Sequence, residues 1–297
     1  MDTSALTRAH AAIGPTASDA TLLPDEPLVR IRPGATRRLL DLHDLGPYRE
    51  LLYFLTWRDV KVRYKQAFLG MAWVVVQPVL MTVIFTVFLG VLARVPSERR
   101  VPYPLFAYVG LLPWTFFSSA IQSSATSVVN NTHLITKVYF PRLIVPAAAV
   151  AARLVDFGVG FVVLIGLMIL YGVTPTWHAA ALPLLILLTV LLALGVGLSI
   201  SALNVKYRDV GIIVPVAVQL WMFVSPVLYP TSLVPERWHS LYALNPLVGI
   251  IDGFRAAIFG RPFDWCALLS STVITALVVV QGLYLFRRTE MSFADAI

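Results

Sequence analysis

The residues able to do chemistry are few and lie apart. Arg153 and Asp156 sit three positions apart inside an otherwise uncharged block, His133 stands alone in NTHLITK, and Cys266 is the single cysteine of 297 residues. Ion-coupled carriers usually bury several ionisable groups on their pathway, and here only Arg153 and Asp156 qualify. That pair also has a plainer reading. Counting twenty residues back from Tyr171 reaches Ala152, so both side chains fall near the hydrocarbon boundary, where a charge costs far less than the ~2.5–3.5 kcal/mol of the bilayer centre. At i, i+3 the two also neutralise each other. This structural reading outweighs a substrate or gating role. An isolated His is more often a contact residue than a ligand or base, and one cysteine excludes an intramolecular disulfide. The chain has no GxxxxGK[ST] phosphate loop, no HExxH, no CxxC and no close acidic pair beside a membrane boundary. The usual ATP cradle and the ligand sets of zinc proteases and metal-dependent glycosyltransferases are therefore missing, and no metal site is expected. If the chain transports, another subunit supplies the energy.

The elements that must position these residues are membrane spans. The composition is 58% hydrophobic and only 13% charged, with a mean hydropathy of +0.78, whereas soluble domains carry about 25% charged residues. Long uncharged blocks alternate with short charged ones: Phe68 to Ala93, Leu105 to Val129, Leu143 to Tyr171, Ala179 to Leu203, Val210 to Tyr229 and Trp265 to Phe286. Each reaches or exceeds the ~20 residues that cross a bilayer as helix. Runs such as LLILLTVLLALGVGL have no period of two, which excludes a transmembrane β-barrel. The expected fold is an all-α membrane protein with six transmembrane helices over 68–287. A flexible cytoplasmic tail (1–45) and an interface helix (46–67) precede them, and a short cytoplasmic tail (288–297) follows. The first 46 residues contain no long apolar run and read as solvated tail rather than signal peptide.

Orientation follows from Lys and Arg. The side holding both termini would carry sixteen basic residues and the opposite side six, with Arg153 left inside a span. The positive-inside rule places both termini in the cytoplasm. The net charge of +7 is then mostly a topology signal, and nucleic acid is not an expected partner.

Three surfaces stand out. In GPYRELLYFLTWRDVKVRYKQAF, apolar Leu51, Leu52, Phe54, Leu55 and Trp57 mix with Arg58, Asp59, Lys61, Arg63 and Lys65. This predicts a basic amphipathic helix in the interface plane, serving either as a lipid anchor or as a docking platform for a soluble partner. The loops NNTHLITKVYFPR and NVKYRDV are the cytoplasmic connections, and Thr132 to Ile135 has the makings of one or two helical turns. On the outer side, Asn245 before Pro246 signals a helix start and Gly260 a stop, with Leu247, Ile251, Phe254 and Ile258 on one face. Fourteen residues span only ~21 Å. With a shorter helix at Pro235 to Ala243, they predict a hairpin that dips into or lies upon the outer leaflet, Asp252 and Arg255 on its wetter side. Aromatic residues such as Trp73, Trp114, Phe117, Trp221 and Tyr229 mostly fit an interfacial belt or lipid-facing bulk. Trp114 and Trp221 lie beside Pro113 and Pro226, where kinks would free backbone groups needing partners. The run SSAIQSSATS is either small-residue packing or the polar wall of a conduit. Flat aromatic faces and hydroxyls would suit a sugar chain.

The segments YKQAFLGMAWVVVQPVL, LLPWTFFSSAI, NTHLITKVYFPR, LNVKYRDV, QLWMFVSPVLYP, LNPLVGIIDGFR and the tail FRRTEMSFADAI occur in that order. Together they resemble type-2 ABC transporter permeases that export O-antigen, capsule and teichoic-acid-like polysaccharides, over Tyr48 to Ile297. The resemblance implies a homodimer forming a twelve-helix channel, with two copies of a separate ATPase subunit docked beneath to bind ATP and Mg; this chain itself would hold no cofactor. It implies that Trp57, Arg58, Asp59 and Lys61 lie at the ATPase interface. Asn131, His133, Leu134, Ile135 and Lys137 would form the coupling helix, and Tyr207, Arg208 and Asp209 a second contact. Trp73, Trp114, Phe117, Trp221 and Tyr229 would line the sugar path, and residues 235–260, including Trp238, Asn245, Pro246, Asp252 and Arg255, would form the outer gate. The implied substrate is a lipid-linked polysaccharide crossing the inner membrane. The other classes consistent with the sequence are a permease for a drug or small amphiphile and an integral-membrane enzyme acting on lipid-linked sugars.

Overall fold

The structure, a computed structural model, describes residues 46–65, 72–95 and 101–290. The tail 1–45, the expected start of the first span at Phe68, the loop positions Arg99 and Arg100, and residues 291–297 lie outside the described residues. Among the described residues every regular element is helical: α1 (Arg49–Lys65), α2 (Ala72–Phe85), α3 (Tyr103–Asn130), α4 (Thr132–Lys137), α5 (Ile144–Leu170), α6 (Leu182–Lys206), α7 (Val210–Val224), α8 (His239–Tyr242), α9 (Pro246–Phe259) and α10 (Trp265–Glu290). Five stretches are long and apolar enough to cross a membrane: Ala72–Leu92, Tyr103–Asn130, Ile144–Leu170, Trp177–Lys206 and Trp265–Glu290. They match five of the six expected blocks.

The remaining block is shorter than its composition implied. α7 stops at Val224 instead of running to Tyr229, so it has 15 residues and a length of about 22 Å. Ser225 is extended (φ −105°, ψ 149°) because it precedes Pro226, whose ring disfavours the helical region for the residue before it. Pro113, by contrast, is carried inside α3 without ending it. α2 also departs from regularity, since Thr86–Leu92 continues it as π-helix, a form that runs to this length rarely and often marks functional positions.

α3 is the hub. Along its most apolar stretch 78% of α3 residues are buried by protein, against 6% for α2, so α3 is surrounded by other helices and α2 presents most of its surface outward. α3 packs against α5 and α6, α6 packs against α10, and α1 lies along α5. The Ser-rich run serves this packing. Ser124 is buried and Ser127 donates back to Ser124 O at 2.8 Å, while Ser118, Ser119 and Thr126 also bond their own helix backbone.

The helical hairpin expected on the outer side is built from the signals in its sequence. Asn245 caps α9 by accepting from Leu247 N at 3.1 Å, Pro246 occupies the first turn, and Gly260 ends the helix at φ 68°, a left-handed conformation natural to glycine. A 3-10 turn at Glu236–Trp238 leads into α8 as the shorter partner. α9 dips into the protein rather than lying upon it: nearly every residue from Pro246 to Ile258 is buried, against α3, α6 and α10.

Candidate functional site

At one end of α3 several exposed and half-buried polar groups gather. Helix α3 ends at Asn130, and Asn131 turns the chain into α4 while its side-chain amide donates to Ser127 O at 2.8 Å. Arg58 on α1 donates to Asn131 Oδ1 at 2.7 Å and to Asp59 Oδ1 at 2.8 Å. Three of the expected coupling positions, Arg58, Asp59 and Asn131, are thus brought together between α1 and the start of α4. α4 is itself two-sided. Ile135 is buried with Leu55, Val128 and Phe286, and Leu134 is half-buried against them. These two anchor the helix, and His133, Thr136 and Lys137 are exposed.

Tyr207, Arg208 and Asp209 form the exposed turn between α6 and α7, with Lys206 Nζ over the Tyr207 ring at 5.2 Å. The turn is tied to the same end of α3 by Asn204, whose amide donates to Ala125 O at 2.8 Å and accepts from Gly211 N at 2.9 Å. Asn204 was not among the expected site residues. An amide near the end of a span of Leu, Val and Gly is the signal that would have found it.

Helix α1 does not divide cleanly into an apolar and a charged face. Leu55 and Val60 are buried against α5 together with partly buried Asp59 and Arg63, while Tyr53, Phe54, Trp57 and Val62 are exposed beside Lys61. Lys61 Nζ lies 5.5 Å from the Trp57 ring centre. The reason is Asp156 on α5. It accepts from Arg63 at 2.6 Å, from Arg153 at 3.3 Å and from the Tyr64 hydroxyl, so α1 turns polar groups inward. Burial and the Asp156 hydrogen bond push the Tyr64 phenol up to about 12.

The expected sugar-path residues divide. Trp114 and Phe117 are 4% and 0% exposed, so both are core side chains that present no face to a lumen. Their rings lie 6.0 Å apart, and the Phe117 ring meets Trp221 edge-on at 5.3 Å. Trp221 is partly exposed, Tyr229 likewise, and Trp73 stands apart at 52% exposure.

The residues expected at the outer gate are organised around the break after α7. Val227, Leu228 and Tyr229 carry carbonyls with no helical partners, and side chains satisfy them. Arg255 of α9 donates to Val227 O at 2.9 Å and Tyr229 O at 3.3 Å, and Tyr103 donates to Leu228 O at 2.8 Å. Arg255 therefore does not sit on a wetter side. It is 0% exposed, with its guanidinium 3.8 Å from the Phe106 ring centre. Asp252 pairs instead with Arg261 at 3.2 Å. Gly110 makes room for the clasp, since a Cβ there would lie 2.3 Å from Val227 O. Asn245 completes it by accepting from Trp221 Nε1 at 3.2 Å and donating to Ser225 Oγ at 2.9 Å. The Tyr242 hydroxyl bonds Tyr229 at 3.2 Å, and burial first, then this bond, hold its phenol above the usual tyrosine range. Trp238 remains exposed under Arg237. Neither Tyr103 nor the role of Arg255 was visible from spacing.

Comparison with known proteins agrees with this architecture. The chain is 31% identical over 260 residues to the O-antigen export system permease protein RfbA of Myxococcus xanthus, covering 86% of this chain and 98% of that protein. It is 30% identical to the protein of the same name from Klebsiella pneumoniae, over 85% of this chain and 97% of that one. It is 26% identical to the polysialic acid transport protein KpsM of Escherichia coli, over 78% and 91%. Residues 50–259, from the start of α1 to the end of α9, match the family described as ABC-2 type transporter, and the chain belongs to that family.

Proposed function

We propose that this chain is the membrane-spanning permease of an ATP-driven exporter, carrying a polyprenyl-diphosphate-linked, O-antigen-like polysaccharide outward across the cytoplasmic membrane. The observation that carries the reading is likeness over nearly the full length of permeases named for O-antigen export. Two copies pair, and two copies of a separate ATPase subunit, holding ATP and Mg, dock at the end of α3 where α1, α4 and the 207–209 turn converge. Both termini lie on that cytoplasmic side. The sixth crossing is made by α7 together with the turns at 225–230 that continue from it. Closure of the ATPase pushes on His133 and Lys137; the Arg58–Asn131 bond passes the displacement to α1. The buried Trp114 and Phe117 brace Trp221, whose accessible face, with Trp73 and Tyr229, meets the sugar chain.

The test is genetic and biochemical together. Deleting the gene should abolish surface polysaccharide and leave lipid-linked polymer inside. Restoration should require both this chain and a Walker-motif ATPase. Normal surface polysaccharide in the deletion strain would sink the reading.

A further inference from the structure

Helices α1 and α5 meet at one carboxylate shared by two guanidiniums. Arg63 Nη1 and Arg153 Nη1 donate to the same oxygen, Asp156 Oδ2, at 2.6 and 3.3 Å, so the two nitrogens stand within 5.9 Å of each other. The Tyr64 hydroxyl engages Oδ1, and Arg153 Nε donates to Ser123 Oγ of α3 at 2.8 Å. A bridge whose only task was to fasten α1 to α5 would need one cation. The second adds like-charge repulsion in a site of reduced dielectric, and leaves the group with a net positive charge.

The cluster is also within reach. The side chains of Arg63, Arg153 and Asp156 keep 26%, 25% and 17% of their surface accessible. Twenty residues back from the end of α5 at Leu170 is Ala151, which puts the cluster just inside the hydrocarbon boundary, next to the lipid headgroups on the side of α1 and α4. Planar guanidiniums held close together beside the headgroup layer match the oxygens of a phosphate.

The geometry points to a binding site for the phosphate or diphosphate of a membrane-anchored lipid, with Arg63 and Arg153 as its ligands and Asp156 as the internal anion that the phosphate displaces. This rests on the reading of the cargo as lipid-linked. Displacement frees Arg63 from Asp156 and so loosens α1 from α5. Since α1 also holds Asn131 through Arg58, an arriving headgroup alters the helix that faces the ATPase.

The experiment uses the full chain in phosphatidylcholine nanodiscs, with farnesyl diphosphate as the probe, farnesol as the uncharged control, and binding followed by tryptophan fluorescence. Farnesyl diphosphate should bind and farnesol should bind at least tenfold more weakly. Arg63→Gln and Arg153→Gln should each weaken diphosphate binding about tenfold or more, with Arg153→Lys losing less. Asp156→Asn should tighten it several-fold, because the competing anion is gone; misfolding cannot produce that gain. Replacing part of the phosphatidylcholine by phosphatidylglycerol separates the sources. Competition at equal mole fraction would assign the site to bulk anionic lipid, and its absence to the diphosphate of the cargo. Equal binding by wild type and the Arg63→Gln/Arg153→Gln double variant, or weakening by Asp156→Asn, would overturn the site. Intact export with no diphosphate binding would overturn it too, while leaving the export reading standing.

Discussion

Arg58 of α1 donates to Asn131 Oδ1 at 2.7 Å, so two elements 73 residues apart in the chain share one charged hydrogen bond at the cap of α4. Removing such a bond costs about 1.5–3 kcal/mol, enough for roughly a tenfold or greater change in a coupled equilibrium. Arg58→Ala and Asn131→Ala should each lower export by about that factor at normal membrane levels. Asn131→Asp, which keeps the acceptor, should retain most of it. Surface polysaccharide quantified against permease content makes the measurement.

Charge reversal tests the ATPase-facing surface. Lys137→Glu and Arg208→Glu alter exposed side chains and should leave the fold intact while reducing copurification of the ATPase and export together. Unchanged recovery of both would remove α4 and the 207–209 turn from the interface.

Tryptophans with different burial should fail differently. Trp114→Ala empties a core site and should destabilise the permease by about 3–5 kcal/mol, read as lower thermal stability in detergent. Trp221→Ala removes a partly exposed ring that bonds Asn245, and should slow export more than it lowers stability.

The clasp behind α7 predicts the largest losses. Arg255→Met orphans the carbonyls of Val227 and Tyr229, at about 1–3 kcal/mol for each. Arg255→Lys should be milder. Gly110→Ala drives a methyl against Val227 O and the Arg255 guanidinium and should lower thermal stability by forcing this hydrogen bond apart while both partners remain present.

Tyr64 gives a pH prediction. Its phenol is raised to about 12 from 10.0, so its contribution is fully present below pH 10 and is lost as pH rises through about 12. Across pH 6–9, Tyr64→Phe should therefore lower stability by a constant amount, seen as parallel melting curves of the two proteins.

What could be read in the chain beforehand was whatever is encoded locally. Asn245–Pro246 and Gly260 mark both ends of α9 because capping chemistry acts over one turn. The long uncharged blocks mark five spans because hydropathy sums over neighbours. The sixth was overdrawn to Tyr229, since apolarity continues past Val224 while Ser225–Pro226 ends the helix. Arg255 was misplaced for a related reason. Spacing along α9 places it near Asp252, and nothing in α9 tells that a broken helix elsewhere supplies three carbonyls to its surroundings. Trp114 and Phe117 differ from Trp221 only in what surrounds them, which composition does not record. The Asp156 cluster lies 93 residues from Arg63, beyond any local pattern.

Asn245 bonds Trp221, Ser225 and its own helix at once, so the chain between Ser225 and Asn245 is a loop pinned at both ends by one amide. Its middle, from Leu233 to Leu241, carries the exposed Leu233, Trp238 and Leu241. A short epitope inserted there would stand clear of the fastenings, whereas one inserted at 226–229 would tear them. The loop is thus a place from which an antibody applied to intact spheroplasts can report which face of the membrane the hairpin occupies.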